Sequence, residues 1–331
     1  MSQPFTSTLL EELGRELSIE VLLEPQFRQV GRVQQGEGRY RYFKLSSLDV
    51  NPSGSAKIAG DKTYASYFMS ELGYPVPEGK AFFSDAWCAV NKTTNDKKAA
   101  MAYAQELGFP VIIKPNAKAQ GAGVMKVANL ASLERGLDQL FLLDNIVVVQ
   151  RVVVGKDYRL IVYRDTVPIA YERRPLSVIG TGSASLEKLL ADRREQLVTQ
   201  GRALKLESND ERLQSRLREQ GLTLASVPKN GEEIQLLQNA NMSTGGTAID
   251  VSASLHPSFI ALAQRLTQAM GLALCGVDLM TKGDPTAPLG EYTIIEINDH
   301  PGLEHYAALS DEARNRVKSL YRTILHDLVH R

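Results

Sequence analysis

The stretch Asp157-Tyr-Arg-Leu-Ile-Val-Tyr-Arg164, followed after a short turn by Val167-Pro-Ile-Ala-Tyr-Glu-Arg-Arg174, decides the fold class. Polar and apolar residues alternate in both halves, the period of strands with one buried face. The turn at Arg164-Asp165-Thr166 is too short for a crossover helix, so the pair reads as an antiparallel hairpin. Downstream, strands over 273–280 and 292–298 are joined by a short polar connection and pair in the same way. Upstream, a strand over 109–115, a loop over 116–123, a strand over 124–127, a helix over 132–143 and a strand over 146–153 form a second block. Hairpins outnumber crossover units, which indicates an α+β or mixed α/β protein with antiparallel sheet.

Working outward, Asp61 caps a helix that runs to Leu72 and closes at Gly73, and Asn95 or Asp96 caps another ending at Gly108. A helix over 7–17, an apolar strand over 19–23 and a strand over 40–45 make a short leading module. Asn51-Pro-Ser-Gly-Ser55 reads as a linker or exposed turn. Residues 184–230 are charged and helical in two pieces. A strand over 233–238, a glycine-rich loop over 239–246, a helix opened by His256-Pro257 and a last helix from Asp311 complete the chain, with no internal repeat.

The composition narrows the function. Lys plus Arg and Asp plus Glu both total 38, so no basic field points to nucleic acid or an anionic membrane, and an anionic ligand must be held locally. Cys88 and Cys275 are distant and flanked by apolar residues, which excludes a zinc or disulfide framework. The N-terminus has acids where a signal peptide needs a basic start, and a cytoplasmic enzyme is expected.

Four constellations carry chemistry. Glu296 and Asn298, two apart on a strand, share one face, and Asp278 sits on the neighbouring strand; three hard oxygen donors of this kind suit Mg²⁺. Lys114 ends an apolar strand, and the loop Gln120-Gly121-Ala122-Gly123 lets backbone amides approach an anion; Lys62 is a second candidate cation. No P-loop string is present. Val147 to Val153, containing Gln150 and Arg151, offers main-chain groups to a flat purine, and Asp157 can accept from ribose hydroxyls. The string 239–247, with Asn241, Ser243, Gly245 and Gly246, is rich in amide and hydroxyl donors, and Arg159 and Arg173 project from the hairpin toward a carboxylate or a developing negative charge. His256, His326 and His330 read as packing or surface groups; His300 and His305 follow the acid-bearing strand and are candidates to line an acceptor pocket.

Taken in order, Gly60-Asp-Lys62, Val111-Ile-Ile-Lys-Pro115, Gln120-Gly-Ala-Gly-Val124, Val147 to Asp157, Asp157-Tyr-Arg-Leu160, Asn239 to Asp250, Gly276-Val-Asp278 and Glu296-Ile-Asn298 resemble the ATP-grasp superfamily. The likeness is to the ATP-grasp regions of cyanophycin synthetase and bifunctional glutathione synthetases, and it runs from about Lys57 to His305. It implies two α/β subdomains with antiparallel sheets clamping ATP: a leading module over 1–56, an N-terminal subdomain over 57–155 with a small lid over about 100–155, and a C-terminal subdomain over 156–331 bearing the metal and substrate sites.

The implied roles follow residue by residue. Lys62 and Lys114 bind the nucleotide phosphates under the loop of Gln120, Gly121, Ala122 and Gly123; Gln150, Arg151 and Val153 meet adenine, and Asp157 meets ribose. Asp278, Glu296 and Asn298 hold two Mg²⁺ ions, for which Mn²⁺ can substitute, while Arg159, Arg173, Asn241, Ser243, Gly245 and Gly246 handle the substrate and the transferred group. The implied reaction joins a small carboxylic acid to an amine through an acyl phosphate. Gln150 stands where many members have Glu. The leading segment is short, so a second subunit of a homodimer is expected to complete the site, and the chain stops soon after Asn298, which favours a stand-alone amino-acid or peptide ligase. Modification of a protein or peptide terminus and a non-catalytic nucleotide-binding module are the alternatives.

Overall fold

The computed structural model describes residues 3–118, 121–199, 202, 204 and 206–330. The leading module is a helix, α1 (Phe5–Leu17), and an antiparallel sheet of β1 (Val21–Leu23), β2 (Val30–Gln34), β3 (Tyr40–Lys44) and β4 (Ser47–Leu48). Its buried face, Leu23, Val33, Phe43 and Leu48, packs on Leu10 and Leu13 of α1 and on the C-terminal helix, so the first and last segments of the chain share one core. Lys318 fixes that contact at 2.7 Å from both Glu12 and Glu16 of α1. The strand β2 is not marked in the sequence because Gly31 and Arg32 break its apolar alternation.

Residues 51–55, expected to be a linker, are instead anchored and enter a helix, α2 (Ser53–Ala59). The Asn51 side chain accepts from the amides of Ala273 (2.7 Å) and Leu274 (2.9 Å) and donates to the carbonyls of Leu274 and Asp299, both at 2.8 Å. Four bonds to backbone more than 200 positions away leave no local signature. We expect Asn51→Ala to cost about 2–3 kcal/mol, since it strands partly buried backbone groups; denaturant unfolding measures this directly.

Helix α3 (Lys62–Glu71) follows, its N-cap Asp61 accepting from Tyr64 as expected. A four-stranded antiparallel sheet comes next, with β5 (Gly79–Phe83), β6 (Val111–Pro115), β7 (Met125–Val127) and β8 (Ile146–Arg151) in the order β5-β8-β6-β7. Helices α4 (Asp85–Asn91), α5 (Lys97–Leu107) and α6 (Leu130–Phe141) are interleaved. Val111, Ile113, Val147 and Val149 point to Ala100, Ala104, Leu133 and Leu137 of α5 and α6, which makes a separate core. The opposite face of this sheet is left for function.

The third unit is a five-stranded antiparallel sheet of β9 (Lys156–Tyr163), β10 (Thr166–Arg174), β13 (Thr247–Asp250), β14 (Leu274–Thr281) and β15 (Tyr292–Asn298), ordered β13-β10-β9-β14-β15. The hairpin β9–β10 and the pair β14–β15 are both present as expected. The edge strand β13, continuing from the glycine-rich loop, is an addition. One face, with Tyr158, Leu160, Val277 and Leu279, packs on α9 (Pro257–Ala269) and on Ala65 and Met69 of α3. The other, with Ile161, Ile169 and Tyr171, packs on α10 (Glu304–Ala307) and α11 (Asp311–His330). Between β10 and β13, α7 (Leu186–Thr199) and α8 (Glu211–Glu219) close over the small pair β11 (Ser177–Ile179) and β12 (Glu233–Gln235) around a leucine core, so the charged segment is helical in two pieces. Among the described residues no helix is long and apolar enough to cross a membrane.

Candidate active site

On the face of the five-stranded sheet that carries Ile161 and Tyr171, polar residues replace the apolar ones at one end. Strand register puts Asp278 beside Arg159 on one side and Glu296 on the other, and Arg173 opposite Asp157. Asp278 is fully buried. Arg159 grips it with a fork, Nε to Oδ1 and Nη2 to Oδ2, both at 2.6 Å, and Arg173 Nη2 reaches the same Oδ2 at 2.9 Å. Arg173 also donates to Asp157 Oδ1 at 2.7 Å, and Glu296 lies 3.8 Å from Arg159.

Burial opposes ionisation of Asp278, but Arg159 and Arg173 outweigh it and hold the carboxyl below its usual range. At Asp157 burial outweighs Arg173 and the carboxyl is raised. Asn298, one pleat beyond Glu296, has a buried amide nitrogen with no partner among the described residues.

The free face of the four-stranded sheet presents a complementary set. Alternation along β6 and β8 puts Lys114 next to Val148 and Ile112 next to Gln150. Lys114 and Gln150 are both buried. Arg151 turns its side chain the other way, donating to Glu78 Oε2 at 2.8 Å and to the Leu107 carbonyl at 3.0 Å, which leaves only its main chain on the Gln150 side. Val153 lies in the half-buried crossing from β8 to β9.

Lys62 is held by the carbonyls of Asn116 (3.3 Å) and Lys118 (2.6 Å). Asn116, which carries no mark in the sequence, accepts from the Thr63 amide at 3.0 Å and donates to Asp61 at 2.8 Å, tying the start of α3 to the end of β6. Among the described residues Lys114 makes no ion pair. Burial lowers it to about 8, with Glu296 and Asp278 pulling upward and Lys62 downward. Glu296, Asp278 and Lys62 are thus near enough for their charges to act on Lys114, which brings the end of β6 into the neighbourhood of the acid–arginine cluster.

The pH dependence follows. A ligand anion binds the charged form of Lys114, which predominates below about 8 and is lost as pH rises through that value. We expect nucleotide affinity in wild type to fall above about pH 8, and this fall to be absent in Lys114→Met, whose affinity is weaker throughout; calorimetric titration across pH measures both.

Two of the expected site loops meet. Gly121 has φ +70°, and a Cβ there would collide with the side-chain amides of Asn241 and Asn239, so only glycine lets the strands' connecting loop rest on the 239–246 loop. Ala122 is exposed and Gly123 half-buried, while Gln120 lies outside the described residues. The second loop is folded on itself: Thr244 donates to Asn239 Oδ1 (3.2 Å) and to the Asn241 carbonyl (2.9 Å), and Gly246 donates to the same carbonyl at 3.1 Å. A Cβ on Gly246 would lie 2.8 Å from the carbonyls of Arg174 and Asn241. Gly245 is left-handed at φ +91°, and Ser243 sits half-buried in the 3₁₀ turn Met242–Thr244. Arg202, unremarked in the sequence, holds this turn from behind with Nη2 at 2.6 Å from the Met242 carbonyl and 2.7 Å from that of Gly246.

His300 pairs with Asp299 at 2.6 Å, which raises its pKa, and lines a groove of about 1070 Å³ shared with the open face of the leading sheet, including Leu22, Arg32 and Tyr42. Among the described residues no group of three or more His, Cys, Asp or Glu is placed to hold a metal; the donor set here is two carboxylates and an amide.

Comparison with known proteins agrees with this geometry. A family model described as "D-ala D-ala ligase C-terminus" matches residues 68–174. The chain is 29% identical over 333 residues to a glutathione biosynthesis bifunctional protein of Mannheimia succiniciproducens, covering 97% of this chain and 42% of that protein. It is 29% identical over 291 residues to a cyanophycin synthetase of Trichormus variabilis, covering 84% of this chain and 30% of that one. The solved bifunctional glutathione synthetase of Pasteurella multocida superposes with a TM-score of 0.60 at 26% identity, over 97% of this chain and 44% of the other. The chain thus spans less than half the length of these relatives. Its antiparallel sheets and the order of its motifs agree with these likenesses: the chain is similar over most of its length to part of the bifunctional glutathione synthetases and cyanophycin synthetases.

Proposed function

We propose that the chain is an ATP- and Mg²⁺-dependent carboxylate–amine ligase acting on an amino acid or small peptide. The observation that carries this reading is the register-built cluster of Asp278, Glu296, Arg159 and Arg173, with the buried Lys114 in range of its charge and of Lys62. Four cations, Lys62, Lys114, Arg159 and Arg173, gather there with three acids, Asp157, Asp278 and Glu296, an arrangement suited to a polyphosphate with its metal.

The residues fit Mg²⁺. The Asp278 carboxylate accepts three arginine contacts out of about four acceptor sites and keeps one for a metal. Glu296 lies 3.8 Å from Arg159 and within side-chain hydrogen-bonding range of Asp278, and the Asn298 amide nitrogen has no partner among the described residues. We assign these three side chains to two metal ions, with Mn²⁺ as a substitute. The bound metal supplies neutralisation of phosphate charge during transfer.

The protein's own groups do the rest. Lys62 and Lys114 hold the phosphates beneath Gly121, Ala122 and Gly123; Gln150 and the main chain of Arg151 and Val153 meet adenine, and Asp157 has Oδ2 left for ribose while Oδ1 holds Arg173. Arg159 and Arg173 orient the acid, whose oxygen attacks the γ-phosphorus as the bond to ADP breaks. Asn241, Ser243, Gly245 and Gly246 then steady the acyl phosphate while the amine attacks its carbonyl carbon, phosphate leaves, and the amine gives up a proton. In this reading residues 57–155 and 156–331 are the two halves of the clamp and residues 1–56 a wall of the substrate site.

Incubation with ATP, Mg²⁺ and pooled amino acids is expected to release ADP and phosphate only when the acid and amine are both present. AMP and pyrophosphate would contradict the route. The groove of about 1070 Å³ beside His300 favours a second reading, modification of a polypeptide terminus; turnover that needs a polypeptide and ignores free amino acids would select it.

A further inference from the structure

Arg202 lies between α7 and α8, in a charged stretch whose composition reads as solvated surface, yet its side chain is buried. Its Nη2 serves the carbonyls of Met242 and Gly246, and its Nε is buried with no partner among the described residues. Two carbonyls satisfy hydrogen bonds without cancelling a charge. Among the described residues no carboxylate pairs with this guanidinium; burial, and after it the like charge of Arg193, act to lower its pKa. A buried cation with no counter-ion is costly to the fold and calls for an anion that arrives later.

The surroundings indicate which anion. Ser243 lies between the two residues Arg202 grips, with its hydroxyl uncommitted among the described residues. The phosphate-type cations Lys62 and Lys114 belong to α3 and β6, ahead of the loop that rests on Asn239 and Asn241. We infer that Arg202 and Ser243 form a subsite for a substrate carboxylate distinct from the one being activated, the carboxylate supplying the negative charge that the described residues around Arg202 leave out. Its place in the reaction rests on the ligase reading; its anion chemistry does not.

The test is thermal unfolding of wild type, Arg202→Met and Arg202→Lys, each alone, with MgATP, with millimolar succinate and with millimolar inorganic phosphate. Succinate is expected to raise the melting temperature of wild type by a few degrees, to have no effect on Arg202→Met and to act partially on Arg202→Lys, while MgATP stabilises all three. Equal succinate shifts in wild type and Arg202→Met overturn the proposal. An Arg202-dependent response to phosphate as large as that to succinate overturns the carboxylate assignment. If wild type ignores MgATP, the ligase reading fails while the succinate comparison still decides the subsite. Should Arg202→Met not fold, Ser243→Ala keeps the guanidinium anchors and is expected to reduce the succinate shift by at least half; an undiminished shift contradicts the subsite.

Discussion

Replacing Asp278 by alanine is expected to abolish turnover and also to destabilise the fold by about 3–5 kcal/mol, the cost of removing one partner of a buried ionic cluster. The carboxylate is the shared counter-charge of Arg159 and Arg173, whose side chains are 16% and 7% exposed, so its loss leaves two cations together in the interior. Its carboxyl is held below the ordinary range, so this stabilisation is present above the unfolded-state value of about 3.9 and is lost as the pH falls through the folded-state value. Asp278→Asn retains volume but not charge and is expected to fall close to alanine. Urea unfolding read beside phosphate release separates the two effects. An inactive Asp278→Ala with wild-type stability would mean that the arginines do not depend on this acid.

Glu296→Ala is expected to behave differently, with turnover reduced about 10³-fold or more and folding stability changed by less than about 1 kcal/mol. Its side chain is 28% exposed, approaches Arg159 only to 3.8 Å and otherwise meets Asp278, another acid, so little of the fold leans on it. A proposed metal ligand with so few protein contacts is spent on the bound state. Activity within a few-fold of wild type in Glu296→Ala would remove it from the metal site. The contrast between neighbours in register on β14 and β15 is itself informative: one acid is buried and organises the arginines, and the other is partly open to solvent.

The alternation Ile294-Ile-Glu-Ile-Asn298 was enough to place Glu296 and Asn298 on one face, because strand periodicity is local. The hairpin of β9 and β10 was legible for the same reason, as was Lys114 at the end of an apolar run. What escaped depends on contacts across the sequence. Asn51 looks like turn material beside Pro52, and its four bonds lie on the far side of the chain. Asn116 gains its role by linking Asp61 and Thr63 to β6. Arg202 hides among seven other basic residues between positions 184 and 220, and only burial sets it apart. Short strands such as β2 and β5, with glycines at Gly31 and Gly79, owe their existence to pairing more than to propensity.

The proposed function depends on one spatial arrangement, with Lys62 and Lys114 on one side of a triphosphate and Asp278, Glu296 and Asn298 around its metal ions. The most direct measurement is a crystal structure of the full chain with Mg²⁺ and a non-hydrolysable ATP analogue. The expected result has phosphate oxygens within hydrogen-bonding distance of both lysines and Mg²⁺ at about 2.0–2.1 Å from oxygens of Asp278, Glu296 and Asn298. An analogue bound elsewhere, with those five side chains unchanged and free of phosphate and metal, would contradict the assignment.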